Sequence, residues 1–156
     1  MIAVTIPGWG ELSIEYLVVD FNGTVALDGK LKKGMKEAIE KLSQYVRVFV
    51  ISADSYETLD EQPEAPAFTV IKVRQEESGA DKARVVRDLG PEKMAAIGNG
   101  ANDAAMLREA ALGIAVIGEE GCCGALLREA DIVVTDIMRA FELLLKPERV
   151  VATLRE

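Results

Sequence analysis

Histidine is absent from all 156 residues of the chain, and that gap removes whole classes of chemistry. Serine–histidine triads, histidine general bases and histidine-ligated zinc cannot be built from this sequence. Proton transfer and ion binding fall instead to carboxylates, ammonium groups, hydroxyls and amides. Cysteine is nearly as scarce: Cys122 and Cys123 are the whole complement and are sequence neighbours. They cannot form an ordinary staple, fit a reducing compartment, and read as small residues at a helix start. Asparagine occurs as Asn22, Asn99 and Asn102 alone, all in two glycine-bearing loops. No apolar run approaches the roughly 20 residues that cross a bilayer, and MIAVTIPGWGEL has no basic stretch leading into a hydrophobic one. A cytoplasmic location with no membrane partner is expected. Positive charge is also in deficit, with 26 acidic against 18 basic residues and a net charge of −8. With no basic stripe to offset that, nucleic acid is not an expected partner.

What is present is ordinary globular material, 49% hydrophobic and 28% charged. Residues 1–156 are expected to form one domain, long enough to bury roughly 70% of its unfolded surface. Residues 2–6 and 11–14 alternate around Pro7-Gly8-Trp9-Gly10 and predict an N-terminal β-hairpin within residues 1–15, with Trp9 packing on the turn. Residues 16–20 form the first core strand, and Asp28-Gly29 predicts a small hairpin over residues 24–31. Helical spacing of Met35, Ala38, Ile39 and Leu42 predicts a helix over 33–44. Further strands are expected at 46–51, 67–73, 94–97, 112–117 and 132–134. Helices are expected through Leu59, over 78–89, after the GNGAND loop, from the 118–121 loop to Ala130, and after Asp136. The tail, 146–156, reads as a last helical turn or two.

Strands alternating with helices of about ten residues, with near-continuous apolar runs in the strands, indicate a doubly wound, Rossmann-like parallel sheet covered on both faces, an α/β fold. In that architecture the loops at the carboxyl ends of the strands converge on one crevice. They would bring together Asp20, Asn22, Ser52, Asn99, Asn102 and Asp103, with Lys82 at the start of a helix. As a set these residues contain what phosphoryl transfer to a carboxylate requires. Asp20 is placed to attack phosphorus. The Ser52 hydroxyl and the Lys82 ammonium are suited to the equatorial oxygens. Asp20 and Asp103, helped by carbonyl oxygens, are hard ligands for Mg²⁺.

The arrangement resembles the haloacid dehalogenase-like superfamily. DFNGT is similar to its nucleophile loop, VISAD to its strand-terminal Ser/Thr segment, Lys82 to its phosphate lysine, and IGNGANDAAMLREAALGIAV to its metal loop. The last stretch is especially similar to the phosphorylation domain of P-type ATPases. The resemblance implies a phosphohydrolase, phosphatase or ATPase-like, acting through an aspartyl phosphate, with catalytic roles at Asp20, Asn22 and Lys82. It implies substrate contacts at Gly23, Thr24, Ser52, Ala53, Lys82 and Asn102, and Mg²⁺ held by Asp20, Asn22, Asn99 and Asp103. Thr24 and Ser52 are 28 positions apart, and Ser52 and Lys82 are 30 apart. Neither interval holds a capping domain, so a capless core over 16–145 with an open crevice is expected. Its substrate would be a small phosphorylated molecule or a phosphoprotein, and a homo-oligomeric neighbour remains an open means of selectivity.

Two positions depart from the family pattern. Asn22 stands where its phosphatases carry an acid two residues after the nucleophile, and an amide cannot shuttle a proton, so dephosphorylation should be slow. Asn99 stands where the metal loop opens with Asp, so Mg²⁺ should bind weakly. The alternative is a regulatory or non-catalytic phosphate- and metal-binding module that keeps the fold. A receiver-like phosphoacceptor fits less well, because it leaves GNGAND unexplained. Among lesser candidates, Lys72 competes with Lys82, Asn102 is equally a helix cap, and Thr24 is equally a loop brace. Asp54 and Asp136 read as helix caps, and Glu119 and Glu120 read as a solvated loop.

Overall fold

The computed structural model describes residues 1–53 and 67–156. The helix expected through Leu59 and the cap expected at Asp54 lie outside the described residues. Strand β3 (Tyr16–Asp20) is the centre of the molecule. Its residues Leu17, Val18 and Val19 are fully buried, as expected of a strand covered on both faces. It pairs in parallel with β6 (Arg47–Ser52) on one side and β8 (Met94–Gly98) on the other. Beyond these lie β7 (Phe68–Lys72), β9 (Leu112–Val116) and β10 (Ile132–Val134), giving an all-parallel six-stranded sheet in the order β10-β9-β8-β3-β6-β7. The strand order reverses around β3, and at such a switch point the loops at the strand ends part to leave a crevice.

Helices cover both faces because their apolar residues recur at helical spacing. In α1 (Met35–Ser43), Met35, Ala38, Ile39 and Leu42 are buried, and in α4 (Ile137–Leu145) Ile137, Ala140, Phe141 and Leu144 are buried. Both helices belong to the larger core cluster together with Leu17, Val19 and Ile114. On the opposite face α2 (Ser78–Leu89) buries Ser78, Lys82, Ala83 and Val86. There α3 (Ala104–Glu109) contributes Met106 and Leu107, in a cluster with Val18, Ile51 and Ala96. Asp136 caps α4 as expected, accepting the Met138 amide at 2.7 Å.

The N-terminal hairpin, β1 (Ile2–Ile6) and β2 (Gly10–Ile14), forms its own antiparallel sheet. Ile2, Ile6, Leu12 and Ile14 nevertheless join the main core, as does Val150 of α5 (Glu148–Leu154). The second hairpin, β4 (Ala26–Leu27) and β5 (Lys30–Leu31), turns at Asp28 and Gly29, which have φ of 50° and 76°. Two left-handed residues in succession suit a tight two-residue turn, which is why Asp-Gly marks it in the sequence. One expected helix is corrected. The segment toward Ala130 is a short 3-10 stretch, Gly124–Arg128, of which only Leu126 is buried. With one buried side chain in five residues it has no apolar face on which a regular helix could dock. No helix among the described residues is long and apolar enough to cross a membrane.

Candidate active site

Three strand ends and one helix build the site. Asp20 is the last residue of β3 and lies beside Ile51 in the register, so Ser52 extends one residue further on the neighbouring strand. Phe21 continues the ladder by donating to the Ile51 carbonyl at 2.9 Å, and the chain then folds back tightly. The Ala26 amide donates to the Phe21 carbonyl at 2.9 Å, and the Gly23 amide to the Ala26 carbonyl at 3.0 Å. Gly23 has φ of 74°, a conformation open to glycine at little cost. Beyond β8, Gly98 leads into the Asn99-Gly100 turn and the 3-10 residues Ala101–Asp103.

The Lys82 ammonium lies between two carboxylates, 2.6 Å from Asp20 Oδ1 and 2.7 Å from Asp103 Oδ1. All three residues are buried, Asp20 at 6%, Lys82 at 1% and Asp103 at 0% exposure. Lys82 reaches this depth because it sits four residues after Ser78 on the inward face of α2. The remaining oxygens are also engaged. Thr24 Oγ1 lies 3.3 Å from Asp20 Oδ2 and 3.2 Å from Asn99 Oδ1, close enough for its single proton to serve either acceptor. The Asn99 and Gly100 amides both donate to Asp103 Oδ2, at 3.0 and 2.9 Å. Asn99 Nδ2 donates to the Gly121 carbonyl at 3.2 Å, which turns its Oδ1 toward Thr24. Gly98 is required by contact: a Cβ there would stand 2.4 Å from the Asp103 carboxyl carbon.

Burial and then the nearby Asp103 charge push the Asp20 carboxyl up from 3.8 to about 7, against the opposing pull of Lys82 and Thr24. Burial alone would lower the Lys82 ammonium, but the charges of Asp20 and Asp103 overcome that and raise it. The cation therefore stays charged while one carboxylate is kept on the edge of protonation, as expected where two acids share one buried counter-charge. Among the described residues no three acid or cysteine side chains converge as a metal cluster. The oxygen donors at hand are the Asp20 and Asp103 carboxylates and the Asn99 amide oxygen. These hard donors, few in number, suit a small divalent cation that retains several waters.

Of the residues singled out in the sequence, the structure brings Asp20, Thr24, Lys82, Asn99 and Asp103 into one hydrogen-bonded group. Gly23 lies against Asn99, whose Nδ2 would be 2.5 Å from a Cβ on it. Ser52 is buried at the neighbouring strand end and Ala53 follows it, half-buried. Asn22 is half-buried and forms an isolated bridge with Ala26. Lys72 is exposed across from Ser52 at the end of β7, and Lys82 takes the buried place beside Asp20. Asn102 Nδ2 donates to Ser78 Oγ at 3.0 Å, clasping the start of α2 to the loop. Sequence reasoning gave Ser78 no role and read Glu120 only as part of a solvated loop. The Asp28 amide donates to Glu120 Oε1 at 3.1 Å, joining segments 92 positions apart, and no local pattern announces such a contact.

A family model for haloacid dehalogenase-like hydrolases matches residues 4–111. The chain is 42% identical over 93 residues to an uncharacterized protein of Methanocaldococcus jannaschii, a match covering 55% of this chain and all of that protein. It is 29% identical over 142 residues to the phospholipid-transporting ATPase NEO1 of Saccharomyces cerevisiae, covering 91% of this chain and 11% of that protein. Among solved structures, 3-deoxy-D-manno-octulosonate 8-phosphate phosphatase from Moraxella catarrhalis, in complex with magnesium, phosphate and KDO, matches with a TM-score of 0.70. The identity is 18%, with 91% of this chain and 94% of that chain covered. Phosphoserine phosphatase in apo form matches with a TM-score of 0.63 at 15% identity, covering 85% and 100%. At these identities the structural likeness bears on the fold, a parallel sheet flanked by helices.

Proposed function

Because the chain belongs to the haloacid dehalogenase-like hydrolase family, we propose that it is a Mg²⁺-dependent phosphohydrolase that works through an aspartyl phosphate on Asp20. The observation that carries this reading is the buried Lys82 ammonium held between Asp20 and Asp103 at the carboxyl end of β3. A cation so deep in a fold is costly unless paired, and here its partners are the two acids that phosphoryl transfer would use. In the proposed first step an Asp20 oxygen attacks phosphorus, the phosphorus–oxygen bond to the leaving group breaks, and the leaving oxygen takes up a proton from solvent water. In the second, water attacks the same phosphorus, releases phosphate and returns the Asp20 carboxylate. Lys82, Thr24 and the hydroxyl of Ser52 hold the phosphoryl oxygens, whose charge grows as the bond breaks. Asp20, Asp103, the Asn99 amide oxygen and the Asn22 carbonyl would hold Mg²⁺, which when bound would add positive charge beside those oxygens.

Turnover is proposed to be slow, because Asn22 offers an amide where a proton must be given and then taken. The substrate class is a small phosphorylated molecule or a phosphoprotein, and the free cysteines suit a reducing cytoplasm. A binding module without turnover is the second reading, favoured by the two amides Asn22 and Asn99 in place of acids. Phosphate release from an aryl phosphate, acetyl phosphate and ATP with Mg²⁺ separates the two. The enzyme reading expects slow release by the wild type, none by Asp20→Asn, and a rise of roughly tenfold or more in Asn22→Asp. No release by any variant, with phosphate binding retained, establishes the module instead.

A further inference from the structure

The loop after β9 closes against both the nucleophile loop and the small hairpin. A Cβ on Gly118 would stand 3.3 Å from the Gly23 carbonyl oxygen, and Lys32 pairs with Glu119 at 3.3 Å. Among the described residues Glu120 is anchored through Oε1, which accepts the Asp28 amide at 3.1 Å. Its Oε2 lies over the bare face of Gly23, 2.6 Å from where a Cβ would be, and Asn99 Nδ2 lies 2.5 Å from that same point. Glu120 Oε2 and the Asn99 amide nitrogen are therefore no more than about 5 Å apart. Asn99 in turn lies within hydrogen-bond reach of Thr24, and Thr24 of Asp20. Among the described residues Glu120 makes no ion pair, since Lys32 is taken by Glu119. Lys30 and Lys33 line a groove with Leu27, Leu31 and Glu119. A fixed, exposed and unneutralised carboxylate thus stands on the rim beside the nucleophile loop.

We propose that Glu120 is a specificity-determining residue that makes the Asp20 site favour phosphomonoesters with uncharged leaving groups over nucleoside di- and triphosphates. This rests on the phosphohydrolase reading and names the substrate class of that same site. The buried floor neutralises the phosphoryl group being transferred, through Lys82. Any further anionic group on the leaving side must sit near the rim, where the Glu120 charge repels it. A like-charge contact at a few ångströms in a solvated setting disfavours such a substrate by roughly three- to tenfold. Salt weakens that discrimination.

The test compares kcat/KM for p-nitrophenyl phosphate and for ATP in the wild type, Glu120→Gln and Glu120→Lys, at low and high ionic strength. The Gln variant keeps an acceptor for the Asp28 amide, so it removes the charge and leaves the anchor. The ATP-to-aryl ratio is expected to rise roughly three- to tenfold in Glu120→Gln and further in Glu120→Lys, with both gains shrinking at high salt. A ratio unmoved in both variants overturns the proposal. Calorimetric binding of ATP against inorganic phosphate, in an Asp20→Asn background, decides it without turnover. ATP alone should bind more tightly once the Glu120 charge is removed, and equal affinities overturn the proposal. Absence of turnover throughout counts against the phosphohydrolase reading alone.

Discussion

Asp20 is an acid placed where charge is resisted. Its carboxyl is pushed up to about 7 by burial and by the charge of Asp103. Between 3.8 and 7 the unfolded chain has lost this proton while the folded chain keeps it, so the metal-free fold loses stability as pH rises through that window. Above 7 the whole cost is present. Asp20→Asn removes it and leaves Lys82 with Asp103 as a neutral pair. In the presence of EDTA the variant should melt above the wild type, by several degrees at pH 8 and by little near pH 4, as calorimetry across pH would measure. A variant less stable than the wild type at pH 8 would mean that Lys82 needs both carboxylates. The candidate nucleophile was legible in the sequence because an apolar run ends on it. The depth of Lys82 was not, since helical spacing places a lysine on a face without saying that two acids await it there.

At the scale of elements, the β8-to-α3 connection is a brace. Asp103 accepts the Asn99 and Gly100 amides, and Cys123 donates its amide to the Asn99 carbonyl at 2.8 Å, fastening the next segment to the turn. Gly98 leaves the space that the Asp103 carboxyl occupies. In Gly98→Ala the new methyl displaces that carboxyl from Lys82. Overpacking of this kind costs about 1–3 kcal/mol, and phosphate release should fall at least tenfold together with the melting temperature. A variant with wild-type release would show that Asp103 need not stay where it is. The GNGAND sequence announced this loop, but its partner segments came from long range. The helix expected toward Ala130 became a 3-10 stretch because Leu126 alone of its five residues is buried, which leaves no apolar face to dock.

Across the whole molecule, strand–helix alternation and near-continuous apolar strands made the doubly wound sheet readable, because period and run length are local properties. Which elements share a core is not local, and the N-terminal hairpin shows it. As a separate two-stranded sheet it would be marginal, yet Ile2, Ile6, Leu12 and Ile14 are buried in the main cluster with Val150 of α5. Each such side chain contributes about 1.5–3 kcal/mol when buried, and four together rival the roughly 5–15 kcal/mol that holds a typical domain folded. Deleting residues 1–15 should therefore yield a chain that lacks a cooperative thermal transition by circular dichroism. A truncated protein that melts like the full chain would make the hairpin an appendage.

The aspartyl phosphate is the claim on which the functional account turns, and it can be weighed directly. Protein incubated with acetyl phosphate and Mg²⁺, quenched in acid and mapped by peptide mass spectrometry should carry a hydroxylamine-labile phosphoryl group on Asp20. The adduct should be absent in Asp20→Asn and more abundant in the wild type than in Asn22→Asp, whose added acid would speed its hydrolysis. Phosphate release without any adduct on Asp20, or an adduct on another residue, would contradict the account.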